Sequence, residues 1–160
     1  MGTQLQKTLH VDQMPGYAIR RLHQISVGIV HHEAQELSIT PVQYAVLQTV
    51  HNHPRTGQRT LASLIALDTS TTGGVVDWLE ARGLLTRNAS PDDRRVRLLT
   101  LTPAGEQLLT NAIPRMERAQ ELILAPLTPR QRKEFLHLLN RLVTVNSDLS
   151  RAPRDPSSSA

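Results

Sequence analysis

The most directed chemistry in this chain lies in Ser90-Pro91-Asp92-Asp93-Arg94-Arg95, where two adjacent arginines follow an aspartate. Apolar runs, Leu84–Ala89 and Val96–Leu101, stand on either side. A Pro-Asp pair between two β-type runs is a turn signal, so the pattern predicts a hairpin with two guanidiniums at its tip. Guanidiniums on a short finger suit a phosphate backbone or a narrow A·T-rich minor groove, where negative potential concentrates. Arg94 is the residue expected to insert there, and Asp93 is expected to orient an arginine through a charge-assisted pair. A second group stands upstream, the consecutive hydroxyls Thr69, Ser70, Thr71 and Thr72. Short hydroxyls can donate to phosphates or accept from bases, and a threonine methyl can meet a thymine methyl. Helix capping accounts for one or two of the four; the others are expected to face nucleic acid. Arg59 is a further candidate phosphate contact, whereas capping already explains Thr40 and Gln43.

The elements that must position these groups follow one another with little linker. Leu61, Leu64 and Ile65 have the spacing that places them on one face of a short helix. Asp68-Thr69-Ser70 offers N-caps for a second helix, which carries Val75, Val76 and Leu79 inward and stops at Gly83, suited to a left-handed C-cap. Helix, turn, helix and basic hairpin together read as a winged helix-turn-helix, which presents one helix to a major groove and the finger to the neighbouring backbone.

Helical segments flank this unit. The first begins at Pro15 and runs to about Glu36, with Ala18, Leu22, Ile25 and Ile29 in one stripe. Thr40-Pro41-Val42-Gln43 is a capping box, and its helix ends near His53-Pro54, leaving Arg55-Thr56-Gly57 as a loop. After Thr102-Pro103 a long helix keeps its apolar phase through Leu108, Leu109, Ala112, Met116, Ala119 and Leu122, and Pro114 is expected to kink it without ending it. A third capping box, Thr128-Pro129-Arg130-Gln131, opens a last helix with Phe135, Leu138, Leu139, Leu142, Val145 and Leu149 near the 3.5-residue repeat of a helix seam. One small core cannot cover all these stripes, so an intersubunit seam is expected. The fold class is therefore mainly α with a small β-hairpin wing. Residues 38–102 form the winged unit, 1–37 and 103–149 a helical dimerisation region, and 150–160 a disordered tail. Within residues 1–14, Leu5, Leu9 and Val11 are the anchors.

At these residues the chain resembles the multiple antibiotic resistance regulator (MarR) family of bacterial transcription factors. The likeness is carried by Leu61-Ala62, the Ser70-Thr71 helix start, Asp77-x-Leu79-Glu80-x-Arg82-Gly83-Leu84, Asp93-Arg94-Arg95, and Leu99-Thr100-Leu101-Thr102-x-x-Gly105. It extends from about Pro15 to Leu149. The resemblance implies a homodimer on a pseudo-palindromic double-stranded operator, commonly a repressor released by a small aromatic carboxylate or phenolic effector. It also implies an effector pocket lined by the first, second and fifth helices. There Tyr17, Arg20, His23, Tyr44 and His51 have suitable chemistry, a cation for a carboxylate among them. The sequence departs from the family pattern at Gly73-Gly74, where relatives often carry polar or basic residues. Each glycine costs about 1 kcal/mol inside a helix, and close approach to DNA or to another backbone would offset that.

Composition agrees with an anionic partner. The formal net charge is +4 and the isoelectric point near 10.3, with Arg82, Arg87, Arg94, Arg95 and Arg97 gathered around the hairpin. The absence of cysteine excludes disulfides, thiolate metal sites and sulfenic-acid sensing. No apolar run reaches the length of a membrane span and no signal-peptide core is present, so a cytoplasmic location is expected. His31-His32-Glu33 and His51-x-His53 lack the i, i+4 spacing of a helical zinc site. No P-loop, GxSxG or dinucleotide fingerprint occurs, so neither catalysis nor a cofactor is expected. The rival reading is a winged helix used as a protein-interaction module. Steep salt dependence of DNA affinity separates the two.

Overall fold

The computed structural model describes residues 10–149; the anchors Leu5 and Leu9 and the tail from Ser150 lie outside the described residues. Helix α1 spans Pro15–Ala34, is extended by a 3-10 turn over Gln35–Leu37, and is followed by α2, Pro41–Asn52. Between them Ser38 adopts φ 52°, the left-handed turn that redirects the chain. The capping box at the start of α2 forms: the Gln43 amide donates to Thr40 Oγ1 at 3.2 Å and the Thr40 amide to Gln43 Oε1 at 2.8 Å. Strand β1 (Thr56–Gly57), α3 (Gln58–Leu64), α4 (Thr69–Ala81), β2 (Leu85–Ala89) and β3 (Arg97–Leu101) complete the winged unit. Two long helices follow, α5 over Pro103–Leu124 and α6 over Pro129–Val145, the latter opened by the expected Thr128–Gln131 box.

Two details depart from expectation. Thr56–Gly57 is not a loop but a strand, pairing antiparallel with Leu99 and Leu98 in a sheet of order β1-β3-β2. Two residues carry no periodicity to read. The pairing forms because the outer edge of β3 offers amides and carbonyls that must otherwise be satisfied by water. Leu64 is exposed rather than inward, because α3 ends there and Ala66 turns away with φ 55°. Ala62 takes the buried place beside Leu61.

The core belongs to the winged unit. Val46, Leu47, Val50, Leu61, Val76, Leu79, Leu84, Leu85, Leu99 and Leu109 form one buried cluster. α4 leaves it through the predicted glycine: Gly83 has φ 67°, its amide donates to Glu80 O at 2.8 Å, and the Leu84 amide donates to Leu79 O at 3.0 Å. This is the Schellman closure, and it turns the chain from α4 into β2.

α1 lies antiparallel along α5. Arg115 donates to Glu33 O at 3.4 Å and pairs with the Glu36 carboxylate. Further toward the start of α1, Leu22 meets Ile123, Leu124 and Phe135 around an apolar cavity of about 240 Å³. Pro114 sits inside α5 without ending it, with Ala112, Met116 and Ala119 buried on either side. α6 has no buried residue, and its seam positions Leu142 and Val145 are 56% and 75% exposed.

Candidate nucleic-acid interface

Asp68 is the N-cap of α4, and it engages two of the four hydroxyl groups that follow, that of Thr71 through its carboxylate and that of Thr72 through its backbone carbonyl. It accepts the Thr71 amide at 2.8 Å and the Thr71 hydroxyl at 2.6 Å. Thr72 is fully buried and its hydroxyl donates to Asp68 O at 2.8 Å. Thr72 is therefore corrected from a DNA-facing residue to a structural one, and the Thr71 hydroxyl is committed to the cap. The Thr69 and Ser70 hydroxyls remain exposed, with no hydrogen-bond partner among the described residues.

These bonds hold the Asp68 carboxyl below its usual value of 3.8, chiefly the bond from the Thr71 hydroxyl and next that from its amide. A lowered folded value means that the cap stabilises α4 fully at neutral pH. That contribution is lost as pH falls below about 4 and through the still lower folded value. Replacing Asp68 by Asn should flatten this part of the acid-unfolding curve of the protein, measured by circular dichroism between pH 5 and pH 2 (roughly the window set by the two values). An unchanged curve would show that the cap does not titrate in folding.

The wing tip is closed by the Ser90 amide donating to Val96 O at 2.9 Å and the Val96 amide to Asp93 O at 3.0 Å. Asp93 Oδ1 accepts the Arg95 amide at 2.9 Å. Asp93 thus fixes the backbone of the turn and pairs with no guanidinium among the described residues, contrary to expectation. A carboxylate two residues before an amide closes a short ring more readily than it captures a long side chain. Arg94 and Arg95 are left exposed and without a partner among the described residues.

Arg59 stands exposed in the first turn of α3, and that turn joins the two halves of the surface. The neighbouring Gln58 side chain lies against α4 at Gly73, 3.0 Å from where a Cβ would sit, and Gly57 faces Val96 at the base of the wing. An added Cβ at Gly73 would press only on the end of this flexible side chain. Gly74 has nothing within 4 Å of an added Cβ and faces outward.

Not every basic residue near the hairpin is free. Arg82 lies over the Trp78 ring, 4.8 Å from its centroid, and donates to Ser38 O at 3.3 Å. Arg87 binds Asp77 and Glu80. The sequence offered one sign of the latter, two carboxylates at i and i+3 on one helix face, but the strand position opposite them emerges only in the fold. Arg55 was read as part of a loop. It carries a strained φ of 66° beside β3, where its amide donates to Leu99 O at 2.9 Å, and its side chain is exposed.

The five candidate effector residues lie on two helices, three on α1 and two on α2. Tyr44 and His51 share α2. Tyr44 donates to Gln48 Oε1 at 3.0 Å and His51 Nδ1 lies 2.8 Å from Glu106 Oε2 on α5. Burial, reinforced by Glu117, pushes the Tyr44 phenol up, so it stays a hydrogen-bond donor at neutral pH. Tyr17, Arg20 and His23 lie in the opening turns of α1, toward the α5–α6 corner.

A three-stranded wing on a helix-turn-helix, flanked by long helices, defines a winged-helix transcription regulator. The MarR family model matches residues 39–96. NicR, a transcriptional repressor of Pseudomonas putida, is 29% identical over 133 residues, 83% of this chain and 84% of its own length. BpsR of Bordetella bronchiseptica, whose DNA binding is regulated by 6-hydroxynicotinic acid, superposes with TM-score 0.81 at 29% identity, covering 84% of this chain and 96% of its own. PcaV, a transcriptional regulator of Streptomyces coelicolor solved with its natural ligand, gives TM-score 0.78 at 31% identity over 86% of this chain and 97% of its own. The chain belongs to the MarR family.

Proposed function

We propose that this protein is a homodimeric, sequence-specific DNA-binding repressor released by a small aromatic acid. The observation that carries the reading is the pair of unpartnered wing arginines, Arg94 and Arg95, joined through the start of α3 to the free hydroxyls of Thr69 and Ser70. Arg59, Thr69, Ser70, Arg94 and Arg95 are its DNA contacts; Thr71 and Asp93 act by fixing the backbone beneath them. The exposed apolar positions Ile19 and Ile25 of α1 and Leu138, Leu142 and Val145 of α6 form the dimer seam. Residues 1–37 and 103–149 dimerise while 38–102 bind DNA. A two-fold axis then sets the two α4 helices about 34 Å apart, one turn of DNA. BpsR supports an aromatic carboxylate as the effector class. Tyr17, Arg20 and His23 of α1 and Tyr44 and His51 of α2 line its pocket. An effector bound there favours another spacing of the α4 helices, and operator affinity falls by the coupling free energy. The protein acts without catalysis, in the cytoplasm where its operator lies. Among the described residues no helix is long and apolar enough to cross a membrane.

The test uses the duplex that the protein enriches from a randomised pool, with a shuffled duplex of equal composition as control. At physiological salt the enriched duplex is expected to bind at least about 1,000-fold more tightly. The free protein should sediment at twice the 17.8 kDa chain mass, and 6-hydroxynicotinate or a hydroxybenzoate should release the duplex. Equal binding to both duplexes would instead favour the interaction-module reading.

A further inference from the structure

Asp77 and Glu80 stand at i and i+3 on α4, the helix whose first turn carries Thr69 and Ser70. A helix that enters a groove of phosphates with two bare carboxylates on one side is repelled over a distance of about 10 Å at ordinary salt. Arg87 answers both. It lies on β2 two residues beyond the buried Leu85, on the strand face turned toward α4. Its Nε donates to Glu80 Oε2 at 2.8 Å. One terminal nitrogen reaches the same oxygen at 2.6 Å and also binds Asp77 Oδ1. The Arg87 side chain is only 26% exposed, whereas the Arg94 and Arg95 guanidiniums are exposed and unpartnered among the described residues. A phosphate contact by Arg87 would require breaking these pairs.

We infer that Arg87 serves DNA binding as an internal counter-ion: it neutralises Asp77 and Glu80 on the recognition helix and does not itself contact DNA. The inference rests on the DNA-binding reading above. The pairing also sets the charge states, since the hydrogen bond from Arg87 holds Glu80 below its usual value and Arg87 is raised in turn. The Glu80 carboxylate is therefore held in its ionised form, and the masking of the pair depends on Arg87. The same contacts tether the wing to α4, but a tether and a counter-ion predict different rescues. Loss of a counter-ion is repaired by removing the charges it masked; loss of a tether is not.

Binding to the enriched duplex would be measured for Arg87→Ala, for Arg87→Ala combined with Asp77→Asn and Glu80→Gln, and for Asp77→Asn with Glu80→Gln alone. Arg87→Ala should weaken binding about tenfold or more, and the triple variant should return to within about threefold of the original protein. The carboxylate double variant, which keeps Arg87, should bind more tightly than the original. A folded triple variant as weak as Arg87→Ala would overturn the counter-ion role in favour of a tether or a direct phosphate contact. Should Arg87→Ala fail to fold, the double variant decides, and unchanged or weaker affinity there refutes the proposal. If the original protein cannot distinguish enriched from shuffled duplex, the DNA-binding reading itself has failed.

Discussion

Replacing Arg94 by alanine is expected to weaken binding to the enriched duplex by about 10- to 100-fold, the range for losing one well-placed arginine contact. The effect should be this large because nothing among the described residues competes for the guanidinium. Arg94 has no partner among the described residues, and the turn beneath it is closed by backbone bonds from Ser90, Val96 and Arg95. The side chain thus stands on a preformed support and forfeits no internal ion pair on meeting DNA. For the same reason the substitution should leave thermal stability and sedimentation mass unchanged. If Arg94 reads a narrow minor groove, the loss should be greatest on duplexes with A·T pairs opposite the wing and small on G·C-substituted ones. A uniform loss across both would make it a phosphate contact, and normal binding would remove the wing from the mechanism.

The largest stability effect should come from Gly105→Ala. A Cβ at this position would lie 2.0 Å from Leu84 O and 3.0 Å from Leu84 C. Both are backbone atoms, held in place by the Schellman closure after α4, so neither can rotate aside. The contact is close for a reason. The Thr102 amide donates to Leu84 O at 3.1 Å, the Thr102 hydroxyl donates to Gly83 O at 2.6 Å, and Thr102 Oγ1 in turn accepts the Gly105 amide at 3.1 Å. One residue therefore caps α5 and ties it to the α4–β2 corner, and only a glycine three positions later lets the helix come near enough. Alanine must push α5 away and strain or break these bonds, costing roughly 2–3 kcal/mol and lowering the melting temperature by about 5–10 °C. Gly74→Ala is the contrasting case. With open space around its Cβ, it should stabilise α4 by up to about 1 kcal/mol. A Gly105→Ala melting curve indistinguishable from that of the original protein would mean that the corner yields without cost.

Much of the architecture was legible because local rules decided it. The Thr40 and Thr128 boxes, the Asp68 cap and the Gly83 stop each follow from a few adjacent residues. The recognition surface was legible only by residue type. Four hydroxyls in a row gave no way to choose among them, since the choice depends on which side of α4 meets the core. The fold buries Thr72, engages Thr71 and leaves Thr69 and Ser70. Arginines were harder still, because equal side chains near one hairpin have unequal fates. Arg87 is taken by two carboxylates, Arg82 by Trp78 and Ser38, and Arg94 by nothing among the described residues. A guanidinium is long enough to reach several elements, so its partner is fixed by tertiary placement and not by spacing.

By itself, then, the sequence determined the order of helices, the wing, the caps and the absence of cysteine chemistry, since each depends on backbone preference or composition within a few residues. The tertiary structure alone decided that β1 exists as a strand and that Gly105 must lack a side chain. It also decided which hydroxyls and arginines are free among the described residues. All of these depend on what another part of the chain brings to within a few ångströms, and no local pattern encodes that distance.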